Sequence, residues 1–334
     1  MTIKIGINGL GRIGRCVLRA VSEEGYDDIE VVAVNGPAQT ETHAHLLEFD
    51  SVHGRFKGGV SYEGDVLTVA GKKIKVTHER DPLKLDWKAL GVDIVLECTG
   101  AFATKEAASV HLKQGAKRVL ISAPAGDDCP TFVYGVNCNG IKPEHTVFSI
   151  GSCTTNALAP IAKVLDDAFG IESGYMTTIH AYTGDQNIHD GSHKDLRRAR
   201  AAGLSMVPTK TGAAKAIGLV LPQLAGRISG TSIRVPTPNV SLVDLTVLVK
   251  KETTKEAVNE AFKTASAKML KNVLKTSERQ LVSIDYNHDN ASSIADLTGT
   301  AVVGGNLVRV AAWYDNEWGF SCRMLDLARK ANTL

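Results

Sequence analysis

A cysteine and a histidine in the middle of the chain have the residue types and spacing for covalent catalysis. Cys153 lies where an apolar strand ending near Ile150 passes into a helix, and His180 follows the apolar strand from Tyr175 to Ile179. The dipole and free N–H groups of a helix N-terminus stabilise a thiolate, which lowers the thiol pKa from about 8.5. A neighbouring imidazole would complete a nucleophile–base pair. Buried cysteines and hydrogen-bonded histidines are also common structural features, so spacing alone leaves both interpretations open.

The other cysteines carry no such context. They are scattered without close pairs or metal-ligand spacing, which predicts reduced thiols that serve as packing residues and predicts no metal site. These cysteines are Cys16, Cys98, Cys129, Cys138 and Cys322.

A glycine-rich turn near the N-terminus predicts a dinucleotide site. It follows a strand over residues 3–8, opens a helix and lies in a βαβ unit completed by a strand from Ile29 to Asn35. In that context the glycines allow a tight turn and a close approach of the backbone to a pyrophosphate, whose charge the helix N-terminus stabilises. NAD or NADP is therefore the expected cofactor, with contacts from Gly9, Gly11, Arg12, Ile13 and Gly14.

The acid that usually follows such a unit is missing. An Asp or Glu at the end of the second strand bonds the ribose 2′-hydroxyl of NAD, but this chain reads Asn35-Gly36-Pro37. Loss of the carboxylate removes the main barrier to NADP. Alternatively, Gly36 only tightens a turn and NAD still binds through its pyrophosphate. No Lys or Arg lies between Gly36 and His43, so 2′-phosphate recognition there is expected to use hydroxyls and backbone N–H groups.

The length and element pattern predict two domains. Residues 1–151 alternate between strands and helices, which indicates a Rossmann-type doubly wound parallel sheet, completed by a C-terminal helix over 317–334. Residues 152–316 indicate an α+β catalytic domain with a mainly antiparallel sheet. Short strands are expected near 131–136 and 281–286, a capping box over 253–256 and a functional loop up to residue 206.

Composition excludes several classes of partner. With 38 basic and 36 acidic residues, the chain has no strong overall field that would favour nucleic acid or an anionic membrane. The N-terminus lacks an apolar signal core, and no window approaches the ~20 apolar residues of a membrane span. We therefore expect a cytoplasmic protein without a membrane partner.

Motifs distributed over the whole chain resemble those of the phosphorylating, bacterial-type glyceraldehyde-3-phosphate dehydrogenases. They are Ile-Asn-Gly-Leu-Gly-Arg-Ile-Gly-Arg (7–15), Phe-Asp-Ser-Val-His-Gly (49–54), Ser-Cys-Thr-Thr-Asn (152–156), Thr-Ile-His-Ala-Tyr-Thr (178–183), Asp-Leu-Arg-Arg-Ala-Arg-Ala (195–201), Pro-Thr-Lys-Thr-Gly-Ala-Ala-Lys (208–215), Arg-Val-Pro-Thr-Pro-Asn-Val-Ser (234–241) and Trp-Tyr-Asp-Asn-Glu-Trp-Gly (313–319).

The resemblance implies a reaction and the residues that perform it. Cys153 would attack the aldehyde of D-glyceraldehyde 3-phosphate, His180 would take the thiol proton, and inorganic phosphate would cleave the resulting thioester to 1,3-bisphosphoglycerate, with NAD(P) accepting the hydride. The implied ligands of the substrate phosphate are Thr183, Arg198 and Arg234, and those of the attacking phosphate are Ser152, Thr154, Thr211 and Gly212. The cofactor set is completed by Asn35, Gly36, Arg80, Thr99, Gly100, Ser122 and Asn316. A homotetramer is implied as well.

Two departures from the family pattern point toward NADP. Besides the missing strand-end acid, Ser192 occupies a place where strictly NAD-dependent members usually have Pro, in a loop that reaches the ribose of a neighbouring subunit. We therefore expect NADP to be used at least as readily as NAD. A further departure is Ala157, which leaves no second thiol one helical turn from Cys153.

The sequence is also compatible with two alternatives. Erythrose-4-phosphate dehydrogenase has similar motifs but passes its acyl group to water. A catalytically silent nucleotide-binding or RNA-binding protein on the same fold is the alternative from a different class.

Overall fold

The computed structural model describes residues 2–333, and the chain divides into two compact units. One unit contains the residues up to Phe132, together with Cys138–Ser152 and the residues from Phe320 onward. The other contains Val133–Asn137 and Cys153–Gly319. We refer to them as the first and the second unit.

The first unit is an α/β structure built on a mostly parallel sheet. Its elements are β1 (Ile3–Asn8), α1 (Arg12–Glu23), β2 (Ile29–Asn35), α2 (Thr40–Glu48), β3 (Val60–Glu63), β4 (Val66–Val69), β5 (Lys72–Thr77), β6 (Ile94–Glu97), α3 (Lys105–Ala108), α4 (Val110–Lys113), β7 (Arg118–Ile121) and β8 (Val147–Ser149). The strand order is β3-β4-β5-β2-β1-β6-β7-β8, with antiparallel pairing only between β3, β4 and β5 within the described part of the chain. The predicted doubly wound parallel sheet is confirmed.

The order of the strands indicates where a ligand would bind to this sheet. The chain moves outward from β1 in one direction to β2 and in the other to β6, so the two halves separate at the carboxyl ends of β1 and β6. Ligands of doubly wound sheets bind at that crevice. β6 is buried at every position, as expected for a strand covered on both faces.

The second unit is a mostly antiparallel sheet covered by helices. Its elements are α5 (Cys153–Phe169), β9 (Ile171–Ala181), β10 (Val207–Thr209), α6 (Ala213–Val220), β11 (Ile228–Val235), β12 (Ser241–Val249), α7 (Lys255–Ala267), β13 (Leu274–Ser277), β14 (Ser293–Val303) and β15 (Leu307–Tyr314). The strand order is β10-β11-β9-β12-β15-β14-β13, and the β11/β9 and β13/β14 pairs are parallel. The last helix, α8 (Trp318–Ala331), spans the change from one unit to the other along the chain.

Three local expectations were wrong. Near residues 131–136, Thr131 forms only an isolated bridge with Ser149, and the chain then turns. Residues 283–286 form a short 3-10 turn instead of a strand, because the Asp285 carboxylate accepts the N–H of Val282 at 2.9 Å. The cap of α7 is Thr254, whose Oγ1 accepts the N–H of Ala257 at 3.3 Å, one residue later than the capping box predicted.

Among residues 2–333, none of the helices combines the length and the apolar character needed to span a bilayer.

Candidate active site

The second unit brings the predicted nucleophile and base together. Cys153 is the first residue of α5, and His180 lies near the end of β9. The Sγ atom of Cys153 is 3.4 Å from Nε2 of His180. Gly151, just before the helix, has a φ of 74°, a left-handed conformation that glycine adopts without a steric penalty. Glycine at this position therefore suits the turn that leads into Cys153.

The hydrogen bonds of His180 determine its tautomer. Nδ1 lies 2.6 Å from the carbonyl oxygen of Ala181, a distance that requires Nδ1–H to donate. Nε2 then carries the lone pair and faces the thiol. The N–H of Ala181 in turn donates to Oγ of Ser241 at 3.0 Å, which fixes the peptide that orients the ring. The imidazole is thus held as a proton acceptor toward Cys153.

The ionisation of this pair differs from the sequence-based expectation. Burial raises the pKa of the Cys153 thiol, and this effect outweighs the lowering by Arg234 and by the hydroxyl and N–H of Thr154. Burial, reinforced by Arg234, lowers the pKa of His180 to about 3. At neutral pH the pair therefore consists of a thiol and a neutral imidazole. The proton has to move to Nε2 as the sulfur attacks, so the base is needed in the chemical step itself.

The guanidinium of Arg234 lies beside the catalytic pair. Its Nη1 donates to the carbonyl oxygen of Ala181 at 3.2 Å and to Oγ1 of Thr183 at 3.3 Å. It also lies 3.2 Å from Nδ1 of His180, but because Nδ1 carries the proton donated to Ala181, this contact joins two donors and is not a hydrogen bond. Its Nε is buried and has no hydrogen-bond partner within residues 2–333. A buried N–H of a guanidinium without a partner fits an anionic ligand. Two of the three predicted substrate-phosphate ligands, Thr183 and Arg234, are thus in contact.

Arg198, the third predicted ligand, is held by neighbours that the sequence had not singled out. Its Nη1 pairs with the carboxylate of Asp185, and its Nε donates to Oγ1 of Thr209 at 3.0 Å. Asp195 accepts from the same threonine hydroxyl at 2.9 Å. Arg198 contributes, together with Arg234, to lowering the pKa of His180, so its charge acts at the pair.

The predicted ligands of the attacking phosphate have different environments. Thr154 is buried, and its Oγ1 lies 2.9 Å from Oη of Tyr314, which is equally close to Oγ1 of Thr178. Thr211 accepts the N–H of Ala213 at 3.2 Å at the start of α6, and Gly212 is the exposed residue preceding that helix. Ser152 directly precedes the nucleophile. Their joint role as a phosphate site stays a prediction.

Several site residues were missed by the sequence reasoning, although they lie in the motifs that it quoted. Ser241 donates to Oδ1 of Asn316 at 2.8 Å, so the amide orientation of Asn316 is fixed. Val240, the residue before it, is buried and has a φ of 67°, which is strained for a β-branched side chain. The Pro-Asn-Val-Ser motif was the available signal, but no sequence pattern reveals a backbone angle.

The first unit holds a cavity of about 520 Å³ at the carboxyl ends of β1, β2 and β6. Gly9 has a φ of 101°, and a Cβ on Gly14 would lie 2.0 Å from the carbonyl oxygen of Gly9. A Cβ on Gly11 would meet nothing within 4 Å, and α1 begins there without a side-chain cap. The open glycine and the uncapped helix N-terminus fit a pyrophosphate.

A chain of hydrogen bonds, here called the Glu97 network, lies beneath this cavity. Nε1 of Trp87 donates to Nδ1 of His111 at 3.0 Å, and Nε2–H of His111 donates to Glu97 at 3.0 Å. Asn8 donates to the same carboxylate oxygen at 2.6 Å and accepts from Nδ2 of Asn35 at 2.7 Å. The other Glu97 oxygen accepts from both the N–H and the hydroxyl of the cavity residue Thr99.

The side chain of Asn35 is fully engaged in this arrangement. Besides Asn8, its Nδ2 donates to the carbonyl oxygen of Glu79 at 2.9 Å. Its Oδ1 accepts from the hydroxyl of Thr77 and from the N–H of Glu79, both at 2.9 Å. The side chain fixes the end of β2, and a direct contact with the cofactor stays a prediction.

The remaining predicted cofactor residues lie at different places. Arg12 makes a bidentate pair with Asp50 at 2.6 and 3.1 Å. Although burial raises it, the pKa of Asp50 is lowered to about 2 by Arg12 and by two backbone N–H groups. The cavity is lined by Gly36, Arg80 and Thr99. Gly100 has a φ of 73°, and Ser122 donates its N–H to the carbonyl of Glu97 at 3.0 Å. Ser192 is exposed on a loop of the second unit.

Comparisons with known proteins agree over both units. Residues 152–316 match the family "Glyceraldehyde 3-phosphate dehydrogenase, C-terminal domain", and residues 3–105 match the corresponding "NAD binding domain" family. The chain is 59% identical over 328 residues to the glyceraldehyde-3-phosphate dehydrogenase of Xanthobacter flavus and 57% identical over 328 residues to that of Cereibacter sphaeroides, in each case over 98% of both chains. It is 55% identical over 329 residues to the Geobacillus stearothermophilus protein of the same name, again over 98% of each.

Proposed function

This chain belongs to the glyceraldehyde-3-phosphate dehydrogenase family and is an NAD(P)-dependent oxidoreductase, and we propose that it performs the phosphorylating reaction through a thioester on Cys153. The substrates are D-glyceraldehyde 3-phosphate and inorganic phosphate, and the product is 1,3-bisphosphoglycerate. The observation that carries the assignment is the 3.4 Å contact between Sγ of Cys153 and the lone pair on Nε2 of His180. In this proposal the first unit binds the cofactor and the second performs the chemistry.

The reaction begins with proton transfer inside the neutral pair. Sγ of Cys153 attacks the aldehyde carbon while its proton passes to Nε2 of His180, which gives a thiohemiacetal. The imidazolium N–H then lies beside the new oxygen and stabilises its negative charge. The Nδ1–H bond to the Ala181 carbonyl keeps the ring in place through the transfer. The imidazolium then gives this proton to the oxyanion, which forms the hydroxyl of the thiohemiacetal and restores the neutral imidazole. When the hydride leaves, Nε2 takes up the hydroxyl proton, and His180 afterwards releases it to solvent.

The bound nicotinamide supplies the hydride acceptor, and oxidation leaves an acyl group on Cys153. Inorganic phosphate then attacks the acyl carbon, the C–S bond breaks, and the sulfur leaves with the bonding electron pair. The cations near the pair assist this step, because the attacking and leaving groups are both anionic. Thr154, Thr211, Gly212 and Ser152 are the proposed ligands of the attacking phosphate.

The substrate phosphate is assigned to Arg234, Thr183 and Arg198. Arg234 offers the buried Nε that has no partner within residues 2–333, and Thr183 offers a hydroxyl 3.3 Å from its Nη1. Asp185 pairs with Nη1 of Arg198, and Thr209 accepts from its Nε. An arginine fork held in this way recognises a phosphate with defined geometry.

We also propose NADP as a cofactor at least equal to NAD, and a homotetrameric assembly. The support for NADP is the absence of an acid at Gly36 and the presence of Ser192. A catalytic efficiency more than about tenfold in favour of NAD would contradict this part of the proposal.

Steady-state kinetics with and without inorganic phosphate test the reaction. With glyceraldehyde 3-phosphate as substrate, omission of phosphate is expected to stop turnover after a single acylation of Cys153. A rate that hardly changes would instead indicate transfer of the acyl group to water, as in erythrose-4-phosphate dehydrogenase. A Cys153→Ser variant serves as the control for background reduction of the cofactor, and absence of acylation in the wild-type protein would indicate a non-catalytic nucleotide-binding role.

A further inference from the structure

His43 is a buried imidazole in the cofactor cavity that the reaction does not use. It lies on α2 and is 5% exposed, yet it belongs to the residues that line the cavity of the first unit. Neither of its ring nitrogens has a hydrogen-bond partner among residues 2–333. Buried polar groups without partners are rare and costly, so the ring points to a partner that a ligand provides.

The ring occupies the space in which the missing acid would lie. A Cβ built on Gly36 would be 2.7 Å from Nε2 and 2.8 Å from Cε1 of His43. The φ of Gly36 lies outside the left-handed region, so the backbone itself would accept other residues there. Any residue with a Cβ at this position would therefore displace the His43 ring, which fills the volume beside Gly36. In NAD-binding proteins of this fold that position holds the carboxylate that bonds the ribose 2′-hydroxyl.

The charges around His43 favour an anion. Burial lowers the pKa of His43, and the nearby His78 and Arg15 lower it further. The Gly36 carbonyl opposes this effect, although the ring forms no well-aligned hydrogen bond to it. Of the other ionisable residues that line the cavity, Arg80 is a cation and Glu79 an anion. The ring is thus neutral when the cavity is empty and becomes easier to protonate beside a phosphate.

The turn that carries Gly36 is held in position by a second histidine. Nδ1 of His78 lies 2.8 Å from the carbonyl oxygen of Ala38 and 3.2 Å from that of Gly36. Nε2 of His78 lies 3.3 Å from Oδ1 of Asp65. The end of β2 and the start of α2 therefore present His43 at a defined place.

We propose that His43 determines specificity at the adenosine ribose by donating a ring N–H to the 2′-phosphate of NADP. The assignment rests on the proposed use of NADP. It replaces the expectation that only hydroxyls and backbone N–H groups recognise this phosphate, because the imidazole of His43 adds a side-chain donor where the stretch has no Lys or Arg.

Binding of 2′,5′-ADP and 5′-AMP to the full-length protein by calorimetry tests the assignment without reference to turnover. The two probes differ only in the 2′-phosphate. The wild-type protein is expected to bind 2′,5′-ADP more tightly. His43→Leu should weaken binding of 2′,5′-ADP by about 10- to 100-fold, as expected for loss of a charge-assisted hydrogen bond, and change that of 5′-AMP by less than about twofold. His43→Gln, which keeps a donor, should lie in between.

A second variant displaces the ring without changing it. Gly36→Ala adds a Cβ that would lie 2.7 Å from Nε2, so the ring has to move, and the same selective loss is expected. The melting temperature of each variant controls for folding. The wild-type preference for 2′,5′-ADP should also grow between pH 8 and pH 6 by more than in His43→Gln, whose remaining pH dependence belongs to the ligand phosphate.

The outcomes separate this assignment from the proposed function. An equal loss for both probes in His43→Leu would mean a structural role and overturn the assignment. Equal binding of the two probes by the wild-type protein would overturn the assignment together with NADP preference. In both cases oxidation of glyceraldehyde 3-phosphate with NAD would still support the proposed reaction, whereas its absence with either cofactor would reject that reaction.

Discussion

Replacement of His180 by Asn should slow the reaction of Cys153 in a manner that depends on pH. Asn keeps an N–H donor but lacks the lone pair that faces Sγ at 3.4 Å. Without a base, only the spontaneously ionised thiol reacts. A thiol of ordinary pKa, about 8.5, is only about 3% ionised at pH 7, and burial makes this fraction smaller for Cys153. Loss of the base should therefore cost about 10²- to 10⁴-fold in rate, or about 3 to 5 kcal/mol of barrier.

The sign of the pH dependence follows from the two pKa values. In the wild-type protein Nε2 is free to accept the proton above pH 3, because the pKa of His180 is about 3. In His180→Asn the rate should rise about tenfold per pH unit until the raised pKa of the thiol is reached. The defect is consequently largest at low pH and shrinks as the pH rises.

The rate of alkylation of Cys153 by iodoacetamide, followed by mass spectrometry between pH 6 and pH 10, measures this effect. The reagent is uncharged, so the phosphate sites do not influence it. His45→Ala, which changes an exposed histidine of α2 in the first unit, serves as the matched control. A loss of less than tenfold at pH 7, or a ratio of wild-type to variant rates that stays constant with pH, would refute the reasoning.

Three further predictions concern an ion pair, a helix cap and the substrate-phosphate site. Asp50→Asn should lower the free energy of unfolding by about 2 kcal/mol at pH 7. Arg12 helps to hold the pKa of Asp50 in the folded protein at about 2, below the unfolded value of about 3.9. Urea titrations should therefore show the stability difference vanishing as the pH falls through 2. Thr254→Ala should cost about 1 kcal/mol and Thr253→Ala only a few tenths, as differences in Tm will reveal; equal effects would contradict the assigned cap. Arg234→Leu should raise KM for glyceraldehyde 3-phosphate by about 10- to 100-fold and Arg234→Lys by less, so an unchanged KM would exclude Arg234 from the phosphate site.

Sequence reasoning succeeded where a pattern has one physical solution. The glycines of the first turn predicted a tight strand-to-helix connection, and a Cβ on Gly14 would indeed collide with Gly9. The alternation of strands and helices predicted the parallel sheet of the first unit. The strand prediction failed over residues 281–286. Val282 and Ile284 are typical strand residues, but they are 61% and 70% exposed because Asp285 closes a turn.

Predictions for the functional site were limited in the same way, because they depend on burial and on contacts between distant residues. The sequence correctly placed Cys153 at the start of a helix, but a sequence does not report burial, which raises the thiol pKa. The absence of Lys and Arg between Gly36 and His43 left His43 itself unconsidered as a phosphate ligand. The linear order does not show that α2 brings the His43 ring back to Gly36. Long-range contacts of this kind depend on the packing of elements and have no local signature.

The Glu97 network has a consequence for how the first unit opens. Its hydrogen bonds connect the ends of β1, β2 and β6 with Trp87 and His111, and each donor and acceptor depends on the next. Fraying of one strand end would leave the Glu97 carboxylate buried without its donors, so these strand ends should separate together or not at all. In native-state hydrogen exchange, the amide protons of Gly9, Cys98 and Thr99 should therefore exchange as one cooperative group, even though Gly9 is distant from the other two in the chain.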